Sequence, residues 1–527
     1  MANLYIFLSI FFAFSLILNY LKVSEERTAF EIVNDMGIGY NLGNSFDNYY
    51  SKIKIETPDE QITLNGNSIP TRNLIIKLKK YGFKTIRFPI TWINFIDDKG
   101  NINSEWLYRV KEVVTWITNA KLYCIINVQT DGYYGNWLSE GLESKDKYIN
   151  LWSQIANEFK DYNEYLIFES MNQPEYFDYD IFYYDYNTLL ILSQAFVDTI
   201  RNSSNLNKQR LLLISGPYAD LDSSIAPKFH LPKDPINKLA LSLQYFNPYE
   251  FVLQNYYEPW NFTDDYGYTI IYQPSLTWGN DNDYKQLFTD FNSIKSNFLE
   301  KNIPVVITAL GVLTEEKKEL KSIREYLYSV FSLSMEYNGM MACLWDSSKD
   351  IKYKDNYVSY NMNYYNREED KWFDEKLQNI ILQISRGKYI KLSDYYVKTN
   401  KDILIEPNNY GNYYLKIGNR KPLKIIFNAR IKGKLFKDIN IGFSRYNSSE
   451  DLNEIEFENN NLKREYDGTS TIIIDISDKN CKYYIRVNRL FGNNNNLVFN
   501  NLTVEFEDSF YFFDYESYKY SLKKYVN

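Results

Sequence analysis

The apolar positions of this chain follow two rhythms. Between residues 30 and 386, short continuous apolar runs recur: MGIGYNLG, FKTIRFPI, LYCIINV, YLIFESM, RLLLIS, LALSLQYF, IPVVITAL and MMACLWD. The stretches between them repeat apolar residues every three or four positions, as in SEWLYRVKEVVTWITNA (104–120) and YKQLFTDFNSIKSNFLEK (284–301). That spacing is one face of a helix. A strand without polar alternation suits burial on both faces. Eight strand–helix units in succession predict an α/β fold, a (β/α)8 TIM barrel over 29–386, with any chemistry at the C-terminal strand ends.

From about residue 387 the helical period fades. Alternating segments (YYLKI, LKIIFNARI, STIIIDIS, KYYIRVN, LTVEFED) stand between turns rich in Asn, Gly and Asp. They predict a C-terminal antiparallel β-sandwich over 387–510, followed by a Tyr- and Lys-rich tail at 511–527. At the other end, residues 4–18 are apolar except for Ser9 and Ser15. That length fits a signal-peptide core and is short for a span of ~20 residues. Residues 1–25 are therefore expected to be a signal peptide, with an uncleaved signal anchor as the alternative, and the protein to be secreted or membrane-anchored.

Composition changes this picture little. A chain of 527 residues suits a large barrel with one companion domain. The net charge of −8 gives no electrostatic reason to bind nucleic acid. Three cysteines (Cys124, Cys343, Cys481) make no disulfide framework, and the first two sit in strand-like runs that suggest buried thiols. Sequons begin at Asn202, Asn261, Asn447 and Asn501, weak support for secretion in an Asn-rich chain. With 50 Tyr and 33 Phe, an individual aromatic is weak support for a binding platform. Nothing in the sequence calls for a metal or an organic cofactor.

The strand motifs carry a resemblance. GIGYNLGNSFD, GFKTIRFPITW, LYCIINVQTDG, LIFESMNQP, LSLQYFNPYEF, IPVVITALG and CLWDSS follow one another in the order and spacing of the barrel of glycoside hydrolase family 5, cellulase type. One such motif is a weak match; seven in register are a strong one. The resemblance implies that two glutamates, an acid after the fourth strand and a nucleophile on the seventh, cleave the glycosidic bond. Here those positions hold Gln173 and Ala309. The family's third-strand His pair falls on Gln129 and Thr130, and its sixth-strand His and Tyr fall on Gln244 and Phe246. The single histidine, His230, lies in a loop away from these motifs.

The resemblance keeps other cleft positions. Arg87, Asn172 and Trp345 correspond to the innermost sugar subsite, and Trp278 and Tyr133, with Tyr134, are candidates to extend it. Glu169, Glu175, Asp131, Asp346, Glu315 and Glu316 are the remaining carboxylates near strand ends. With both expected glutamates replaced, the chain is expected to be a non-enzymatic homologue. It would bind glycan or serve as a structural or adhesive extracellular protein. The alternative is an active or residually active β-glucan hydrolase using relocated carboxylates. Expected partners are a β-glucan or other glycan, and extracellular proteins through the sandwich, which the resemblance suggests is a carbohydrate-binding-like or interaction domain.

Overall fold

The computed structural model describes residues 27–49, 54–129, 141–174, 186–254, 275–314, 317–348 and 362–389, together with the backbone of strands outside these ranges. The chain forms two compact units. The first comprises Met1–Ser275, Asp290–Glu316 and Tyr337–Asp374; the second comprises Leu276–Thr289, Lys317–Glu336 and Glu375–Asn527.

The first unit holds a closed barrel of eight parallel strands, each made from one of the apolar runs. They are β1 (Ile38–Leu42), β2 (Thr85–Phe88), β3 (Tyr123–Asn127), β4 (Leu166–Glu169), β5 (Leu212–Ser215), β6 (Leu239–Tyr245), β7 (Val305–Leu310) and β8 (Met340–Asp346). Neighbours in sequence are neighbours in the sheet, and β8 returns to pair with β1. Every strand residue is buried except Trp345, which is half-exposed. Helices connect the strands and start where the sequence supplies caps. Asn103 accepts from the Glu105 and Trp106 amides at the head of helix Ser104–Asn119. Thr28 and Glu31 form a reciprocal capping box at the head of helix Ala29–Met36.

That first helix closes the bottom of the barrel. Its Ala29, Ile32, Val33 and Met36 pack with Tyr123, Ile125, Ile167, Leu213, Ala240, Val306 and Met341, the apolar filling of the interior. Arg27 fixes it there by bonding the Tyr123 hydroxyl at 2.8 Å and Glu164 at 3.0 Å. Burying this set of large side chains is worth roughly 1.5–3 kcal/mol each and holds the strands in register. At Gly39 a Cβ would stand 2.2 Å from the Cys343 sulfur, so this position on β1 is glycine because β8 fills the space. Cys124 and Cys343 are buried free thiols.

The second unit contains helices Leu320–Glu336 and Glu375–Ser385, and the C-terminal strands. All five alternating segments picked out in the sequence form strands: Tyr413–Gly418, Pro422–Ile431, Thr469–Ile473, Lys482–Val487 and Leu497–Phe506. Strand pairing is antiparallel, in one sheet of five strands and one of three. The N-terminal apolar run and the tail after 510 lie outside the described residues.

Candidate functional site at the mouth of the barrel

A polar layer lies above the apolar filling, nearer the C-terminal ends of the strands. Arg87 on β2 reaches across the interior to the last residue of β4, with Nε 2.6 Å and Nη2 3.1 Å from the Glu169 carboxylate. Neither side chain is exposed. A buried ion pair must recover its desolvation through geometry and further hydrogen bonds. Here they are present. The Ser242 hydroxyl donates to Glu169 at 2.7 Å and lies 3.0 Å from that of Thr308. Arg87 Nη1 donates to Asn41 at 3.0 Å, and Asn41 donates to the Thr308 carbonyl at 2.8 Å. Five strands (β1, β2, β4, β6 and β7) are thus tied across the interior by side chains.

The rim stands on this layer. Asn172, just beyond β4, accepts from Arg87 Nη2 at 2.8 Å and from Gln244 Nε2 on β6 at 3.0 Å. Its own amide nitrogen lies 3.4 Å from Gln173 Oε1. Ala309 on β7 pairs with Gln244 where the strand register shifts. The structure therefore brings Gln173, Asn172, Gln244 and Ala309 together at the end of the barrel where the sequence places the chemistry. Gln173 is half-exposed and Ala309 is buried. Gln129 sits beyond β3, where its side chain accepts from Asn127 at 3.0 Å. Phe246, just past β6, is half-exposed. Tyr245 beside it turns outward, as strand alternation requires, and donates to Asp290 at 2.9 Å.

Trp345 on β8 is in register with Asn41 and shares its inward parity. A Cβ at Gly43 would stand 2.9 Å from the indole, so the bare backbone there lets the ring pack against the end of β1. The next residue, Asp346, is fully buried and committed elsewhere. It accepts from the Tyr364 and Tyr365 amides at 2.7 and 3.1 Å, from the Tyr40 hydroxyl and from Arg367. Burial and the neighbouring Asp346 push the Tyr40 phenol well above its ordinary pKa, so it stays a donor. Arg367 lies 21 positions on and no local motif marks it as a partner. Asp47, in the GNSFD segment, is another residue without such a mark. It shapes the loop after β1 by accepting from Ser45 at 2.7 Å and Asn44 at 3.2 Å.

Two expectations for sugar contact need correction. Arg87 is fully buried, so it reaches the cleft through Asn172 rather than touching a ligand itself. Trp278 is 5% exposed and packs against Tyr284 and Tyr326 at 4.9 and 5.5 Å, within the second unit, which leaves no open ring face. Thr130, Asp131, Tyr133, Tyr134, Glu175, Glu315 and Glu316 lie outside the described residues. His230 is exposed in its loop.

Comparison with known proteins bears on this site. Residues 48–350 match the model of the cellulase family, glycosyl hydrolase family 5. A solved structure of a GH5-4 broad specificity endoglucanase from an uncultured bovine rumen ciliate is similar with a TM-score of 0.64 and 48% identity, covering 69% of this chain and 99% of the other. A GH5 lichenase from Caldicellulosiruptor sp. F32, a Glu-to-Gln mutant in complex with cellotetraose, is similar with a TM-score of 0.59 and 27% identity, covering 68% and 96%. Endoglucanase A of Paenibacillus barcinonensis is 31% identical over 61% of this chain and 82% of its own length. Endoglucanase A of Clostridium longisporum is 30% identical over 64% of this chain and 63% of its own length. These relatives are named as enzymes, which overturns the expectation of a non-enzymatic homologue confined to glycan binding or structural roles. The physical reason is that Gln173 and Ala309 report on two positions, whereas the likeness covers the whole barrel, and any of the eight strand-end loops can supply a carboxylate.

Proposed function

Since this chain belongs to glycosyl hydrolase family 5, the cellulase family, we propose that it is a β-glucan hydrolase of the endoglucanase type, acting at the mouth of its barrel. The observation that carries this reading is the Arg87–Asn172–Gln244 network, held at the C-terminal strand ends of a barrel that aligns along 99% of the ciliate endoglucanase. Asn172 offers a fixed amide to a sugar hydroxyl, and Trp345 offers an aromatic face. The neighbouring lichenase mutant with cellotetraose supports a linear β-glucan as the class of ligand.

Hydrolysis with retention needs two carboxyl groups ~5–5.5 Å apart, one giving a proton to the leaving oxygen and the other attacking the anomeric carbon. Gln173 can donate a hydrogen bond to that oxygen but has no acidic proton, and Ala309 has no nucleophile. Glu169 and Asp346 are taken up by Arg87 and Arg367. Both roles therefore fall to other strand-end carboxylates, for which the sequence offers Asp131, Glu175, Glu315 and Glu316. In the same reading, residues 1–25 direct secretion, and the two C-terminal sheets pack as a sandwich that contacts polysaccharide or extracellular proteins.

The test is release of reducing ends from carboxymethyl cellulose and mixed-linkage β-glucan by the full chain. Release is expected, and Glu175→Gln or the Glu315→Gln/Glu316→Gln pair should lower it by ~10²-fold or more, as loss of acid or nucleophile does. No release above the blank on either substrate overturns the reading.

A further inference from the structure

A second site lies on the flank of the barrel, away from the polar network. Thr57, Pro58 and Asp59, at the start of the short helix Pro58–Thr63 that follows β1, face Ser104, Glu105, Tyr108 and Arg109, from the helix after β2. They line an open cavity of about 670 Å³. Small-ligand sites span roughly 300–1,000 Å³. Helix Ser104–Asn119 explains how one segment serves two faces. Trp106 turns inward, fully buried, and stacks on Phe95 at 4.5 Å. Tyr108, two residues on, stands 66% exposed beside the cavity. Arg109 bonds Glu112 and reaches Asp59 at 3.4 Å, while its buried Nε donates to no acceptor among the described residues.

The chemistry of this lining selects a ligand class. Asp59 and Glu105 disfavour an anion, and Arg109, bonded to Glu112 and Asp59, offers its N–H groups as donors rather than as a free charge. A planar aromatic face with acceptors on one side and a guanidinium donor on the other suits a neutral ligand rich in hydroxyl groups. We propose that the Tyr108 cavity is a second glycan-binding site that takes a stretch of β-glucan chain outside the barrel mouth. Tyr108 stacks on a sugar ring, and Asp59, Glu105 and Arg109 bond its hydroxyls. The choice of β-glucan rests on the proposed function above; the existence of the site does not. Such a site holds the protein on its polymer while the mouth engages another segment, and raises the local concentration of chain.

The experiment is affinity electrophoresis of the full chain in gels containing mixed-linkage β-glucan. Tyr108→Ala and Glu105→Gln are each run alone and in a Trp345→Ala background, which separates this cavity from the mouth. Tyr108 is largely exposed, so its truncation leaves the core intact. The expected result is binding about tenfold weaker for Tyr108→Ala in both backgrounds, a loss of about 1.4 kcal/mol, with Tyr108→Trp restoring it. Retardation of Tyr108→Ala and Glu105→Gln equal to their parents in both backgrounds overturns the proposal. If the chain releases no reducing ends yet its retardation depends on Tyr108, the hydrolase reading fails and the second site stands.

Discussion

Arg87 grips Glu169 through two nitrogens at 2.6 and 3.1 Å, across the inside of the barrel and out of reach of solvent. Removing one partner leaves the other charged and buried. Glu169→Ala should therefore cost about 3–5 kcal/mol, far more than an exposed pair is worth. The Arg87→Met/Glu169→Leu double variant should be more stable than Glu169→Ala alone. Denaturant unfolding of the three proteins measures both. A loss below 1 kcal/mol for Glu169→Ala would show that the pair is not the tie described here.

Gln244 and Arg87 share one acceptor, the Asn172 side-chain oxygen. Gln244→Ala leaves Asn172 held from one side, and its amide then loses its fixed orientation at the rim. A net hydrogen bond is worth about 0.5–1.5 kcal/mol, or roughly two- to tenfold in affinity. Calorimetric titration with cellotetraose should show that loss for Gln244→Ala, and a larger one for Asn172→Ala. Equal affinity in the wild type and both variants would remove Asn172 from the sugar site.

Gly39 and Cys343 face each other in register across β1 and β8. A methyl group at Gly39 would meet the sulfur at 2.2 Å. Gly39→Ala should lower stability by about 1–3 kcal/mol, as overpacking does. Adding Cys343→Ala should recover part of the loss. Thermal unfolding of the single and double variants reads this directly, and a double variant no more stable than Gly39→Ala would contradict it.

Acid should loosen the barrel through Asp234. Burial raises the pKa of this carboxyl, but the Arg201 fork, bonding at 2.8 and 3.0 Å, outweighs that and holds it below the ordinary carboxylate value. A group depressed in the folded state contributes fully above its unfolded pKa, about 3.9. The contribution is lost as pH falls through the lower, folded value. Melting temperature should therefore fall more steeply below about pH 4 in the wild type than in Asp234→Asn, whose stability is already reduced at neutral pH. Parallel curves would show that Asp234 is not linked to acid unfolding.

The barrel was readable because a strand buried on both faces leaves an uninterrupted apolar run, and eight of them recur between helical stretches. The rim was readable where a residue sits at a strand end, as with Asn172, Gln173, Gln244 and Ala309. What escaped were partnerships between distant segments. Arg87 reads as a cleft residue until Glu169, 82 positions away, is seen to neutralise it. Asp346 looks like a spare carboxylate until Arg367 and Tyr40 fold onto it. Trp278 looks like a platform because it falls in a loop, yet Tyr284 and Tyr326 enclose it. The mistaken reading of function had the same origin, because two side chains were weighed against a whole barrel.

The helix Ala29–Met36 gives the barrel a front and a back. With its apolar face sealed into the base and Arg27 pinned to Tyr123 and Glu164, the barrel is closed at the N-terminal ends of its strands. Whatever precedes Arg27 is attached at the closed side. A pull on the chain at Arg27 would load the base of the barrel first and leave Trp345 and Asn172, at the opposite ends of the strands, in place.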